Sequence, residues 1–324
     1  MAFYCQALTD YRITRIIMWK YNLTASFRSI KRNMSFSLIN ISGLSIGLTL
    51  IIILLAWLQF EFSFDKFHEN ADKIFRVVVE FKSEKTSDNF ANTPAPLGEL
   101  LKTAIPEVKD FVRFGYMGRV LVNSENEQFW ENIELADHSI FNIFSFTLLQ
   151  GDPETALSNP GSVILSETKA RKYFGDKNPL GRSLLIGDKK TPYIITGVLR
   201  DIPANSQIQF DFLSSFSEIK GNMGWAMWNY TTYFIANNKG SYRSITEKLP
   251  EIENKIPLGE DFQLHIQPLL KIHLHSRLRS DLDTNTNIRT VYIISSVLIL
   301  VLLIACINYM NLATSRYTKR GKEA

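Results

Sequence analysis

Cysteine is nearly missing from this chain: Cys5 and Cys306 are the only two in 324 residues. Neither falls within 61–290, so no disulfide staples that long polar stretch. A region of this size can build a core without one. A phosphate-binding loop of the form G-x4-G-K-[ST] is missing as well. The nearest string, Gly175-Asp-Lys-Asn-Pro-Leu-Gly181-Arg182-Ser183, has five intervening residues and Arg where Lys belongs. It reads as a helix C-cap and a turn, so the chain does not bind ATP by that route. There is no H-E-x-x-H run and no Ser/His/Asp set. His273-Leu-His275 and His265 invite a metal reading, with two histidines on one strand face. No nearby Cys or regular carboxylates complete a site, and polar strand-end residues are the better account. No catalytic, cofactor-binding or metal residue is therefore expected, and the chain does not read as an enzyme. Excess positive charge is also lacking in the middle. Of 36 Lys/Arg, six lie in 1–37 and four in 313–324, which leaves 26 against 30 Asp/Glu in 61–290. A mildly acidic region is a poor nucleic-acid partner.

What the chain does have is two long uncharged apolar runs, Leu38–Phe60 and Val291–Leu312. Each exceeds the ~20 residues that a helix needs to cross a bilayer. In lipid a continuous helix satisfies its own backbone, so both runs are expected to be transmembrane α-helices. The fold class is then a membrane protein in which two transmembrane helices flank an α+β extracytoplasmic domain. Five segments follow: a tail over 1–37, the spans 38–60 and 291–312, the domain 61–290 and a second tail over 313–324. The basic tails place both termini in the cytoplasm and the domain outside. The first run starts too late, and lacks a small-residue cleavage site, for a cleaved signal peptide; it reads as a signal anchor. Met18–Ser37 mixes aromatics with basic residues, and Leu23, Phe27 and Ile30 recur at helical spacing. An interfacial amphipathic helix is expected there, with a basic stop signal of no fixed structure as the alternative. Residues 1–17 show no organising pattern.

Gly43-Leu-Ser-Ile-Gly47 is a G-x-x-x-G in the first span. It reads as a surface that admits a second helix, against chance occurrence of Gly in membrane helices. Asn308 and Asn311, at i, i+3 in the second span, either bond across helices or meet the interface. Within the domain, Ile74–Phe81 alternates as a strand with Phe75, Val77, Val79 and Phe81 on one face. Leu97, Leu100, Leu101 and Ala104 mark a helix stopped by Pro106. Val108–Phe114, Ile133–Ala136, Ser162–Leu165, Tyr230–Ala236 and Phe262–Gln267 are expected strands. Ser166 caps a helix that runs through Phe174 to Gly175. Ser183–Ile186 and Tyr193–Leu199 form a hairpin turned at Gly187. Ile245–Ile256 is helical in part. Gly221–Tyr230, with two Met and two Trp, is a tuck against the core or an adaptable partner surface.

These blocks, in their order, resemble the permease subunit of MacB/FtsX-type ABC transporters. The resemblance is carried by Trp19–Asn33, Asn40–Gly47, Glu61–Arg76, Phe144–Pro153, Ser166–Gly181, Ile195–Pro203, Gln267–Ser276 and Ala305–Arg316. It covers the chain from about Met18 onward. It implies a bacterial inner-membrane permease with a MacB-like periplasmic core domain between its first two spans. It implies no cofactor on this chain, because ATP is bound by a separate ABC ATPase subunit. The other implied partners are membrane lipid, a periplasmic adaptor, and either a second copy or a second permease repeat. Arg316, Lys319, Arg320, Lys322 and Glu323 resemble the start of the segment that meets the ATPase. A family repeat has four membrane helices and this sequence has two, so the expectation is a truncated permease. The rival reading is a membrane-anchored sensor whose outer domain binds a ligand.

Overall fold

The computed structural model describes residues 34–82, 87–124, 128–218, 224–257, 262–279 and 285–320. The chain forms two compact units, one holding the two long helices and the other spanning Phe60–Ile288. Along the chain, α1 (Met34–Glu61) leads through a tight series of turns into β1 (Ile74–Lys82), β2 (Ser87–Phe90) and β3 (Asn92–Thr93). Then follow α2 (Leu97–Ala104), β4 (Val108–Asn123), β5 (Gln128–Ala136), α3 (Ile140–Ile143) and β6 (Leu148–Gly151). The middle of the domain comprises β7 (Ser162–Ser166), α4 (Glu167–Phe174), β8 (Ser183–Ile186), β9 (Thr191–Leu199) and β10 (Phe212–Ser215). It closes with β11 (Tyr230–Ala236), α5 (Ser241–Glu253), β12 (Phe262–Pro268) and α6 (Leu269–His275), before α7 (Ile288–Arg320).

α1 and α7 each contain 24 residues long and apolar enough to cross a membrane, Leu38–Glu61 and Ile288–Asn311. In the domain the strands build one sheet ordered β12-β1-β11-β4-β5-β10-β7-β9-β6, with β2, β3 and β8 paired off this path. Only β5/β10 and β7/β9 run parallel among the described pairs. The fold is thus α+β, with helices packed on a mainly antiparallel sheet.

Three larger cores form on this sheet, beside a small cluster of Ala95, Leu135, Phe216 and Tyr230. Phe75, Val77 and Val79 of β1 enter one of them, with Phe81 packed against it and Leu101 of α2 and Leu249 of α5 opposite. That is the face expected from the alternation. A second core sets Ala170 of α4 against Val163, Leu165, Ile195 and Phe212. The third joins Phe114, Tyr233 and Leu213 to Phe144, Leu269 and Ile272, and so fixes α6 against the sheet. Local signals behave as their chemistry requires. Ser166 Oγ accepts from Lys169 N at 3.3 Å and caps α4. Gly175 ends it at φ +61°, a left-handed conformation that glycine adopts without strain.

Two features depart from the sequence reading. The strands expected at Val108–Phe114 and Ile133–Ala136 are parts of a far longer hairpin, β4 with β5. Past Gly115 that hairpin is partly buried: Tyr116 and Trp130 are exposed while Val122 and Ile133 enter a core, and Tyr116 Oη meets Asn132 Oδ1 at 3.0 Å across the strands. The register shift between Tyr116 and Gly118 breaks the period-two alternation that would reveal it. The histidine segment is the second correction. His273 and His275 lie on the helix α6, not on a strand. Residues two apart on a helix point about 200° apart, so the two imidazoles cannot share a face.

Candidate functional site

The stretch that follows α1 is closely tied to distant parts of the domain. Its sequence, Glu61-Phe-Ser-Phe-Asp-Lys-Phe-His68, interleaves aromatic and charged groups, and the chain turns to bury Glu61, Asp65 and His68. Ser63 N and Oγ both donate to Phe60 O, at 3.0 and 2.6 Å, which stops the helix. Lys66 N then donates to Ser63 O at 3.2 Å and His68 N to Asp65 O at 3.3 Å. Asp65 adopts φ +56°, a left-handed backbone that costs a non-glycine residue of order 1–3 kcal/mol. The loop between β9 and β10 holds it there. Asp65 N donates to Asn205 O at 2.9 Å, and its Oδ1 accepts from Gln207 N at 3.0 Å and Ser206 Oγ at 3.2 Å. Asn205 Nδ2 reaches back to Ser63 Oγ at 2.8 Å.

This outgoing segment is fastened to the returning one, β12 and α6. Glu61 Oε2 lies 2.6 Å from His273 Nε2, with side-chain exposures of 7% and 6%. Phe64 stacks on the same imidazole, with ring centroids 3.3 Å apart and planes 4° off parallel. Fifteen positions further along, fully buried Arg76 donates from Nη2 to Gln267 Oε1 at 2.9 Å and to Ser276 Oγ at 2.8 Å. The β1/β12 ladder sets Arg76 opposite Gln267, so strand register aligns this second tie. One ring stack and two polar ties therefore close the two chain legs on each other within the domain.

Asp65 and His68 form a second buried pair beside this joint. His68 Nδ1 accepts from Ser145 N at 3.0 Å, so the ring's proton sits on Nε2, 3.9 Å from Asp65 Oδ1. Phe67, Phe144 and Phe146 surround the imidazole. Burial pushes His68 down to about 4 and Asp65 up to about 6, the latter against the bonds from Gln207 and Ser206. At neutral pH the imidazole is neutral, and the contact is not an ion pair. Asp65 Oδ2 and His68 Nε2 have no hydrogen-bond partner among the described residues.

In the helical unit, α1 and α7 meet at the small residues singled out above. A Cβ added to Gly43 would stand 2.9 Å from Asn308 Nδ2, and one on Gly47 would stand 3.4 Å from Ala305 Cβ. Asn308 Nδ2 donates to Asn40 O at 3.1 Å, which ties the two helices by a polar bond. Asn311 is exposed on α7. Arg316, Lys319 and Arg320 lie on the last turns of α7, while Lys322 and Glu323 lie outside the described residues. Most of the expected interfacial helix, up to Asn33, also lies outside them, and Met34–Ser37 continue into α1. From the Met/Trp stretch, half-buried Trp225 and Trp228 pack against the first core, and Met227 is exposed.

No group of three or more His, Cys, Asp or Glu side chains that could hold a metal occurs among the described residues. His265 instead faces Glu80 Oε2 at 2.7 Å across β1 and β12. The joint of Glu61, Phe64, Arg76 and His273 was not singled out from the sequence. Its signal was present in the aromatic-acidic block beside the first span, but the partner strand and helix lie about two hundred positions away.

A mainly antiparallel sheet domain flanked in the chain by two candidate membrane-spanning helices is the architecture of a membrane-anchored extracytoplasmic module. Residues 37–251 match the model of the MacB-like periplasmic core domain, and the chain belongs to that family. A crystallised domain assigned to a permease protein of Porphyromonas gingivalis is 23% identical, with a TM-score of 0.57, over 70% of this chain and 98% of that one. The periplasmic region of MacB from Actinobacillus actinomycetemcomitans is 18% identical over 63% of this chain and 94% of that one, with a TM-score of 0.45. The extracellular domain of the noncanonic ABC-type transporter YknZ from Gram-positive bacteria is 17% identical over 59% and 98%, with a TM-score of 0.45. At these identities the likeness is one of fold. Comparison with curated proteins finds no match.

Proposed function

We propose that this chain is a permease subunit of an ABC-type exporter or mechanotransmission complex in the bacterial inner membrane. In this reading both termini are cytoplasmic, the domain over 61–290 is periplasmic, and ATP is bound and hydrolysed by a separate ATPase. The work of the chain is efflux or envelope transport, by passing motion from that ATPase to its outer domain. A homodimer or a second permease repeat completes the membrane part, and a periplasmic adaptor meets the domain.

The observation that carries the reading is the joint. Glu61 is the last residue of α1 and is locked to His273 of α6. A displacement delivered to Glu61 would therefore be handed to α6, and through Arg76 and Gln267 to the β1/β12 edge of the sheet. A buried hydrogen-bonded pair with a stacked ring transmits displacement better than a flexible linker, because each member has one packed position. Family membership supports the pairing with an ATPase. Arg316, Lys319, Arg320, Lys322 and Glu323 supply the charged contact with it.

The test is charge reversal, Arg316→Glu with Lys319→Glu, in the chain co-purified with its ATPase. ATP turnover stimulated by the permease should fall several-fold while the ATPase alone is unchanged. Undiminished stimulated turnover would count against the proposed contact.

A further inference from the structure

Two large apolar side chains stand out from the domain beside the joint. Phe62 is 46% exposed and Leu270 is 40% exposed. Their position follows from the chain itself. Phe62 is the residue after the end of α1, and consecutive Cα atoms are about 3.8 Å apart. Leu270 precedes His273 by three residues, about 4.5 Å of helical rise. His273 is bonded to Glu61, the last residue of the first candidate span. Both side chains are thus held within a short reach of the point where the apolar run stops. The polar headgroup layer on either side of a hydrocarbon core is about 5–8 Å deep.

Charge around the pair matches that layer. Lys66 and Lys271 are exposed, one four positions after Phe62 and the other next to Leu270. Arg277 follows α6 and is exposed as well. The acid nearest in sequence, Glu61, is buried against His273, and the exposed acids Glu69 and Asp72 come later on the outgoing segment. Apolar side chains with long basic side chains near them in sequence suit an anionic headgroup zone, where the stems lie in the apolar layer and the ammonium groups reach phosphate.

We infer that Phe62, Leu270, Lys66 and Lys271 form a lip that seats the domain in the interfacial layer of the bilayer, on anionic phospholipid. The joint then works against a lipid surface as well as against α1. This inference rests on the candidate span and the joint, not on the transport reading.

The test uses the full chain with Cys5 and Cys306 replaced by Ser, reconstituted in phosphatidylcholine vesicles with or without phosphatidylglycerol. Single variants Phe62→Cys and Leu270→Cys carry an NBD label, and Trp130→Cys, exposed on β5, is the control. The expected result is blue-shifted emission at 62 and 270, quenched by spin-labelled lipid, with neither effect at 130. Lys66→Glu with Lys271→Glu should reduce that quenching in vesicles containing phosphatidylglycerol and leave it unchanged in phosphatidylcholine. Water-like, unquenched emission at 62 and 270 overturns the inference. Blue-shifted emission without lipid quenching overturns it too, and makes a second copy or another protein the cover. Equal quenching in both vesicle types overturns the anionic preference.

Discussion

The joint makes a quantitative demand on His273. Replacing it by Leu removes a buried hydrogen bond to a carboxyl group, worth about 1.5–3 kcal/mol. It also removes the stack with Phe64, worth about 0.5–1.5 kcal/mol. Leu fills much of the vacated volume, so a large cavity term is not added. His273→Leu should therefore destabilise the domain by about 2–4 kcal/mol, near the loss found when one partner of a buried pair is removed. Glu61→Gln should cost less, because the amide still offers an oxygen to the imidazole. The assay is urea unfolding of the full chain in detergent micelles, followed by tryptophan fluorescence, for wild type, both single variants and the double variant. Residues in contact and sharing one hydrogen bond should couple by about 0.5–3 kcal/mol. A second cycle, Arg76→Met against Ser276→Ala, samples the other tie and should couple in the same range. If the Glu61 and His273 effects simply add, the two legs are not fastened at that point and the joint is wrong.

Two further expectations come from other parts of the fold. Burial pushes Glu134 up from 4.5 to about 7, so the folded domain binds this proton more tightly than the unfolded chain. Its penalty is full above pH 7 and is relieved as pH falls towards 4.5. Glu134→Gln should raise the melting temperature at pH 8 by the equivalent of about 1–3 kcal/mol and do little at pH 5; the same gain at both pH values would refute the burial account. In the helical unit, the Gly47 and Ala305 positions lie at a Cβ separation close to the roughly 3.5–4.5 Å of a disulfide. Gly47→Cys with Ala305→Cys, in a chain lacking Cys5 and Cys306, should cross-link on mild oxidation, seen as two fragments held together after proteolysis within the domain. Failure to cross-link in native membranes would separate α1 from α7 at that level.

Much of the domain could be read from the chain because its strands obey simple periodicity. Phe75, Val77 and Val79 alternate into one core, and Ser166 and Gly175 bracket α4 as their chemistry dictates. What escaped was long-range or polar. β10, Phe212–Ser215, is a central strand with two serines in it, and a buried serine reads as a turn residue. It is tolerated because Ser214 Oγ donates to Ser162 O at 2.8 Å and Ser215 Oγ to Leu157 O at 2.7 Å. These partners lie more than fifty positions away, and no window along the chain contains them. α6 was hidden for another reason. Seven residues are too few to display a helical period, and Leu-Leu-Lys-Ile-His-Leu-His serves either structure. The same distance hid the joint: Glu61 and Arg76 show their purpose only when Gln267, His273 and Ser276 arrive from the far end of the domain.

The Asp65–His68 pair ties the stability of the turn beside the joint to pH. The two groups carry linkages of opposite sign. His68 is held neutral, with its pKa near 4 against an ordinary 6.5, so stability is lost as pH falls from 6.5 towards 4. Asp65 is raised from 3.8 to about 6, so its penalty is largest above pH 6 and fades as pH falls towards 3.8. Each shift corresponds to about 3 kcal/mol at its full extent. As pH falls through this window the cost passes from Asp65 to His68. A lone Asp65 would make the turn tighten in mild acid, and a lone His68 would make it loosen. Set three residues apart on one turn, with Asp65 in a left-handed backbone that brings the carboxylate to the loop at 205–207, they give the stretch after α1 two opposed responses to pH.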